Sequence, residues 1–292
     1  MDISERQPTY KRQRFLLTFL RQLNGDITAT NLQKLVFMYT MAEDPIHYDF
    51  VPYKFGAYSF QLEEDLSILQ RDGYVSISVD SKRRQIKALG KYDQKPSFVI
   101  CPERGDDLIR KTYQKYPYFT INSEILGRIF NKAESEQYLI ERQSYINENQ
   151  VLFTIGYEGK SIESFVNTLI RNGIRKLCDV RKNPLSRKFG FSKGKLQHIM
   201  ETVNIEYEHL PELGIKSDKR TFLEMPEDYE ALFEEYAKMM PKLESELEKL
   251  YAFFNFNKRI ALMCYELEPK MCHRHVIKDW LVSKFLIKGK DL

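Results

Sequence analysis

The sequence predicts an α/β protein. Its C-terminal part is a mainly parallel sheet of four or more strands with flanking helices, preceded by a mainly helical N-terminal domain. Two observations predict this. From Val151 onward, short apolar runs alternate four times with amphipathic helical segments, an order that calls for parallel strands joined by right-handed crossovers. Before residue 90, three helical patterns lead into one alternating hairpin.

Taken in order, Arg12 to Leu23 carries apolar residues at 15, 16, 19, 20 and 23, a helical period. Asn24-Gly25 stops it, because glycine tolerates the left-handed cap. Thr30 or Asn31 is placed to cap LQKLVFMYTMA, and SFQLEEDLSILQRDG presents Leu62, Leu66 and Leu69 before Asp72-Gly73 closes it. YVSISVDSKRRQIKAL alternates on both sides of a Ser-Lys-Arg-Arg turn and reads as a hairpin. Three helices and a hairpin are the order of a winged helix. The third helix, its expected recognition element, carries Glu63, Glu64, Asp65 and Asp72 against one arginine, a face that phosphates repel. The turn Lys82-Arg83-Arg84 and the leading helix with Lys11, Arg12, Arg14 and Arg21 are basic, so DNA binding and a dimerisation or docking role both stand. The segments LQKL, YKFGAYS and LSILQRDG together resemble a group of bacterial winged-helix-like proteins and, more loosely, the Panacea-type domains of toxin–antitoxin systems. That resemblance implies DNA or protein contact for residues 1–90.

Residues 91–150 read as a helical connector region. A strand is expected at Pro96–Pro102, helices at DDLIRKTYQKY and SEILGRIFNKA, and YLIERQSYINENQ as the link that ends polar at Asn147–Gln150. The domain boundaries are therefore drawn at 1–90, 91–150 and 151–292.

Bulk properties exclude several classes. The 42% hydrophobic and 29% charged content is that of a globular chain. Cys101, Cys178, Cys264 and Cys272 lack the density of a secreted disulfide scaffold. No apolar run reaches the ~20 residues of a membrane span, and the polar start MDISERQPTYKRQR is not a signal peptide. A cytoplasmic protein with no membrane partner is the expectation. The net charge of +4 is too small to imply nucleic acid by itself.

In residues 151–292 the strand candidates are VLFTIG, KLCDV, IEYEHL and IALMCY. The helices are SIESFVNTLIRNG, KGKLQHIMETVN, a long acidic stretch broken at Pro241, and HRHVIKDWLVSKFL. Ligands of such sheets lie beyond the strand carboxyl ends, and the unusual polar residues sit there. Tyr157 follows the first strand, Asp179 and Arg181 end the second, His209 and Glu212 follow the third, and Glu266 and Cys272-His273-Arg274 follow the fourth. TIGYEG, DVRKNPLSRKFGFSK, YEHLPELG and LMCYELEPKMCHR, in that order, closely resemble the family catalogued as domain of unknown function 488. The resemblance brings no established reaction; its members' association with DNA-binding domains and with DNA-modification and phage-defence gene neighbourhoods implies a nucleic-acid setting.

Each group has two readings. Asp179 is a base or ligand and Arg181 an anion binder in a solvent-facing pocket, or the two form an internal ion pair. Arg171 to Lys195 holds nine Lys or Arg against one acid, with Phe189 and Phe191 interleaved. That suits phosphate and base contacts, with Arg187 and Lys193 as phosphate ligands, or it is a solvated basic face. His209 is an acid–base group near neutrality or a structural histidine. Cys272, at a helix entrance beside Arg274, is expected to have a lowered thiol pKa and to serve as a nucleophile; alternatively Cys272-His273-Arg274 only opens the helix and Arg274 holds a phosphate. Cys264 and Cys272 are eight apart, unlike the close pairs of structural zinc sites, and Cys264 reads as a strand hydrophobe, so no metal site is assigned. No Walker or Rossmann glycine motif is present, the phosphatase Cys-x5-Arg spacing fails because residue 278 is Lys, and no cofactor is indicated. The expected function is an enzyme, a hydrolase or transferase acting on a nucleotide or nucleic acid. Asp179, Glu266, His209 and Cys272 would be catalytic, while Arg181, Arg187, Lys193, Tyr157, Glu212, His273 and Arg274 bind substrate. The alternative is a non-catalytic sensor of the same ligands coupled to the N-terminal domain, in either case with homodimerisation open.

Overall fold

The computed structural model describes residues 7–43, 47–90, 98–216 and 225–292. The chain divides into two compact units, Met1–Gln143 and Ser144–Leu292. Among the described residues no helix is long and apolar enough to cross a membrane.

In the first unit α1 (Lys11–Leu23) and α2 (Ala29–Thr40) flank the short strand β1 (Ile27–Thr28). Asn24 ends α1 in the left-handed region, at φ 48°. The cap of α2 is Thr28 rather than Thr30 or Asn31: its hydroxyl accepts from the Asn31 N–H at 3.2 Å. The hairpin β2 (Val51–Tyr53) and β3 (Gly56–Tyr58) leads into α3 (Phe60–Arg71), capped by Ser59. The next hairpin, β4 (Val75–Asp80) and β5 (Arg83–Ala88), turns on Ser81-Lys82 alone, both at positive φ. Arg83 and Arg84 therefore belong to the strand and not to the turn. β1 pairs with β5, giving the antiparallel order β1-β5-β4.

Helices α4 (Gly105–Lys115), α5 (Leu126–Ile129) and α6 (Lys132–Ser144) follow. The strand expected at Pro96–Pro102 lies partly outside the described residues, and residues 98–102 form none. The first part of YLIERQSYINENQ, expected as a link, lies in the helix α6, whose buried residue Tyr138 packs with Phe130 and Tyr113.

Two polar contacts tie this unit together. Gln33 exchanges hydrogen bonds with the Ser59 backbone, accepting at 2.9 Å and donating at 3.1 Å. The neighbouring Lys34 donates its Nζ to the Ala57 carbonyl at 2.7 Å while only 2% exposed. The LQKL and AYS segments thus form one buried junction. Burial pushes the Lys34 ammonium down from its ordinary 10.5 to about 7.

The second unit runs β6 (Val151–Gly156), α7 (Ile162–Arg171), β7 (Lys176–Asp179), α8 (Lys193–Thr202), β8 (Glu206–His209), α9 (Pro226–Met239), α10 (Glu244–Asn257), β9 (Arg259–Cys264), α11 (Arg274–Phe285) and β10 (Gly289–Asp291). The sheet order is β10-β6-β9-β7-β8, and every pairing is parallel. On one face Leu152, Cys178, Ile260, Leu262 and Cys264 pack with Phe233, Leu247, Leu250, Ile277 and Leu281 of α9 to α11. Phe153, Ile155, Ala261 and Met263, one residue out of phase, are buried on the other. Both faces are covered, which is why these strands read as continuous apolar runs.

The Lys34 pKa makes a stability prediction. Between about pH 7 and 10.5 the unfolded chain holds a proton that the folded chain has released, so stability rises with pH across that window and is flat in this respect below it. The slope reaches about 1.4 kcal/mol per pH unit at most. Urea unfolding of wild type and Lys34→Met should differ by an amount that changes with pH in that window, because methionine removes the titrating group.

Candidate functional site

At the carboxyl end of β7 the chain folds one side chain back on its near neighbour. Asp179 is fully buried and Arg181 is 5% exposed. Asp179 Oδ1 accepts from Arg181 Nε at 2.8 Å and from the Arg181 backbone N–H at 3.1 Å; Oδ2 accepts from Arg181 Nη2 at 2.6 Å and from the Tyr207 hydroxyl at 2.7 Å. The remaining Arg181 Nη1 donates to the Tyr157 hydroxyl at 3.1 Å, and the Tyr157 ring stacks on Phe191 with centroids 4.2 Å apart. Burial alone would lower the Arg181 guanidinium, but the hydrogen bonds and charge of Asp179 outweigh it and raise it. Burial first, then the Asp179 charge and hydrogen bond, push the Tyr207 phenol up. Of the two readings of this pair, the internal ion pair is the one observed. Arg181 is buried and directs three of its five guanidinium N–H groups at Asp179 and Tyr157.

The backbone of the same segment holds two histidines. The Arg181 carbonyl accepts from His209 Nε2 at 2.9 Å, and the Val180 carbonyl accepts from His273 Nε2 at 2.9 Å. A carbonyl only accepts, so in both rings Nε2 carries a hydrogen, and in the neutral imidazole the lone pair is on Nδ1. Their surroundings differ. His209 is half-buried, and its Nδ1 meets Lys193 Nζ at 3.5 Å. His273 is 1% exposed, stands edge-on to the Tyr236 ring, and turns its Nδ1 toward the Cys264 and Cys272 sulfurs, each at 3.9 Å.

The expected single polar site therefore divides in two. Asp179, Arg181, Tyr157 and Tyr207 hold the strand end from which His209 meets Lys193; Cys264, Cys272 and His273 lie within the core that packs with α9 to α11. Burial, followed by the hydrogen bond and charge of Cys264, pushes the Cys272 thiol well up, and Arg274 acts against this without prevailing. The lowered thiol expected at this helix entrance is not what the burial produces.

Arg274 is fully buried. It donates from Nη1 to the Glu266 carbonyl at 2.6 Å, from Nη2 to the Leu267 carbonyl at 2.9 Å and from Nε to Thr154 Oγ1 at 3.3 Å. It anchors the 266–267 loop over β6, instead of presenting its charge to a phosphate in solvent. Gly156 makes that crossing possible: a Cβ there would stand 1.8 Å from the Glu266 carbonyl oxygen. Gly214 does the same where the loop after β8 meets the Lys182 backbone nitrogen, 2.2 Å from a built Cβ.

What faces solvent at this edge is basic. Lys182, Arg187, Lys193 and Lys195 are exposed, and so is Glu212. Lys188 is half-buried and donates to the Tyr157 carbonyl at 3.2 Å. Of the interleaved aromatics, Phe191 belongs to the core, whereas Phe189 is half-buried under Lys195 Nζ at 5.1 Å. A cavity of about 290 Å³ is lined by Lys182, Glu212, Gly214, Leu232, Tyr236 and Leu243. Sequence reasoning placed neither Lys182 nor Tyr207 among the functional residues. Tyr207 was findable, since it is two residues before His209 on the same strand and so on the same face.

Residues 161–281 match the family model described as Domain of unknown function DUF488. No curated protein and no solved structure matches the chain. The matched stretch holds Asp179, Arg181, His209, Glu212, Glu266 and Cys272-His273-Arg274, and leaves TIGYEG before it.

Asp179→Asn should destabilise the second unit by about 3–5 kcal/mol, because it leaves the buried Arg181 charge uncompensated. Tyr207→Phe should cost only about 1 kcal/mol, one hydrogen bond. Denaturant unfolding of the two variants side by side checks the ranking.

Proposed function

We propose that the carboxyl edge of the parallel sheet binds a nucleotide or nucleic acid and that the protein is an enzyme acting on it, with His209 as the proton-transfer group. The observation that carries this reading is the setting of His209. Its Nε2–H is fixed on a buried carbonyl, and its Nδ1 lone pair meets a lysine at an edge where four cations are exposed. A lone pair aimed among cations is positioned to take a proton from water or from a hydroxyl of an anionic ligand. Lys182, Arg187, Lys193 and Lys195 supply the phosphate contacts, and their salt dependence should be that of counterion release. Asp179 and Arg181 are assigned as positioning residues, since their bonds are spent on each other and on the two tyrosines. Glu212 and Tyr157 border the same edge.

A sensor is the second reading, favoured by the closure of the Asp179–Arg181 pair, which leaves no carboxylate pair for glycosidic or phosphoester chemistry. In it the first unit reports ligand occupancy through DNA or a partner. The α3 acids are less of an obstacle to DNA than their number suggests: Asp65 is buried against Arg12, Glu63 pairs with Arg84 and Asp72 with Arg71.

Incubation with nucleoside mono-, di- and triphosphates and with short single- and double-stranded oligonucleotides should raise the melting temperature and yield a product. Arg187→Glu with Lys193→Glu should weaken binding at least about tenfold, less at high salt. His209→Asn should keep the shift and lose about 100-fold or more in turnover. A shift without product selects the sensor; no shift with any of these ligands removes both readings.

A further inference from the structure

We propose that Cys264, Cys272 and His273 form a zinc site, with the two thiolates and the His273 Nδ1 as ligands. The three residues come from two places in the chain. Cys264 ends β9, Cys272 follows the 3-10 turn Pro269–Met271, and His273 is the residue before α11. Their spacing in sequence carries no zinc pattern; the loop between β9 and α11 brings them together, held down by the Arg274 bonds to Glu266 and Leu267. Their ligand atoms all lie within 4.8 Å of one another, and all three residues are buried.

The geometry is near what the ion requires. Tetrahedral zinc, with Zn–S about 2.3 Å and Zn–N about 2.0–2.1 Å, sets S···N near about 3.6 Å. Both observed S···N distances are 3.9 Å, so each sulfur needs to close by only about 0.3 Å on that standard. The histidine is set for the task. Its Nε2–H is held by the Val180 carbonyl at 2.9 Å, the outer hydrogen bond that metal-binding histidines use, and this puts the lone pair on the nitrogen that faces the sulfurs. Two thiolates and one zinc ion sum to zero charge, so the complex suits a buried place where a lone thiolate does not. Thiolate and imidazole together are ligands that zinc accepts and that magnesium or calcium do not. Three protein ligands leave a fourth position, as in zinc sites that hold water or a substrate atom. Whether the basic edge binds nucleotides does not enter this inference.

The test is metal content and spectrum of the full chain. Protein purified from zinc-supplemented cells, without chelator, is analysed by elemental mass spectrometry; the expected result is one zinc per chain. Refolding with cobalt(II) in place of zinc should give a thiolate-to-cobalt charge-transfer absorption and the intense visible bands of a tetrahedral site. Cys264→Ser and Cys272→Ser should each lose the metal and the charge-transfer band, while Cys101→Ser and Cys178→Ser keep both. A wild-type chain that holds no zinc as purified and gives no thiolate–cobalt band on refolding overturns the proposal. So does zinc retained at full stoichiometry by folded Cys272→Ser. If the serine variants fail to fold, the wild-type cobalt spectrum decides.

Discussion

The Asp179–Arg181 pair is the interaction on which the C-terminal unit's site depends. Taking both charges out of water is expensive, and their attraction offsets that only with near-complete hydrogen bonding. Here the carboxylate receives four hydrogen bonds, from Arg181 Nε, Nη2 and backbone N–H and from the Tyr207 hydroxyl. A third guanidinium N–H, from Nη1, donates to the Tyr157 hydroxyl. The pair closes a ring over three residues at the end of a fully buried strand, and so fixes where their carbonyls point. Val180 offers its carbonyl to His273 and Arg181 offers the next to His209. One strand end thereby orients two imidazoles, one in the apolar core with the cysteines and one at the solvent edge.

The strands and the placement of polar residues at their ends were legible because both signals are local. Apolar runs such as KLCDV and IALMCY report burial on two faces, and the residue types that break them mark the ends. Depth was not legible. Arg181 read as an anion binder or as half of an internal ion pair, and Arg274 as an anion ligand; both are buried, Arg181 against Asp179 and Tyr157 and Arg274 against Thr154 and the Glu266 and Leu267 carbonyls. β10 left no signal at all: Gly289, Lys290 and Asp291 are exposed and polar, and they join β6 through the backbone and one 2.7 Å hydrogen bond from the Thr154 hydroxyl to Asp291. The meeting of Cys264 with Cys272 escaped for the same reason as Arg274. Spacing rules describe ligands carried on one turn, and this contact is made by a loop that folds back.

The motif residues of both units serve the backbone more than the surface. In the first unit Gln33 and Lys34 are spent on Ser59 and Ala57, so the LQKL and AYS segments are two sides of one junction. In the second, Gly156 and Gly214 are glycines because a neighbouring chain occupies the space a side chain would take. The LPELG turn then places Leu213 in the core and lets Tyr236 of α9 donate to the Leu213 carbonyl at 2.5 Å. In this chain the residues that carry the likeness let loops cross over strand ends.

What they leave exposed is little, and its smallness has a consequence. Of the residues expected at the four strand ends, Arg187, Lys193 and Glu212 are exposed and His209 and Glu266 half-buried, whereas Tyr157, Asp179, Arg181, Cys272, His273 and Arg274 are buried. A site assembled this way is oriented before any ligand arrives, because the ring of His209 is anchored on a carbonyl that a buried ion pair holds in place. Lys193 is the adjustable member. It is exposed, sits in the first turn of α8, and reaches the imidazole at 3.5 Å, the longest of the contacts that define the edge. If the proposed ligand carries a phosphate, that phosphate attracts the ammonium more strongly than an imidazole nitrogen does. Its arrival would therefore draw Lys193 onto the anion and uncover the His209 lone pair in one movement, with the rest of the scaffold unchanged.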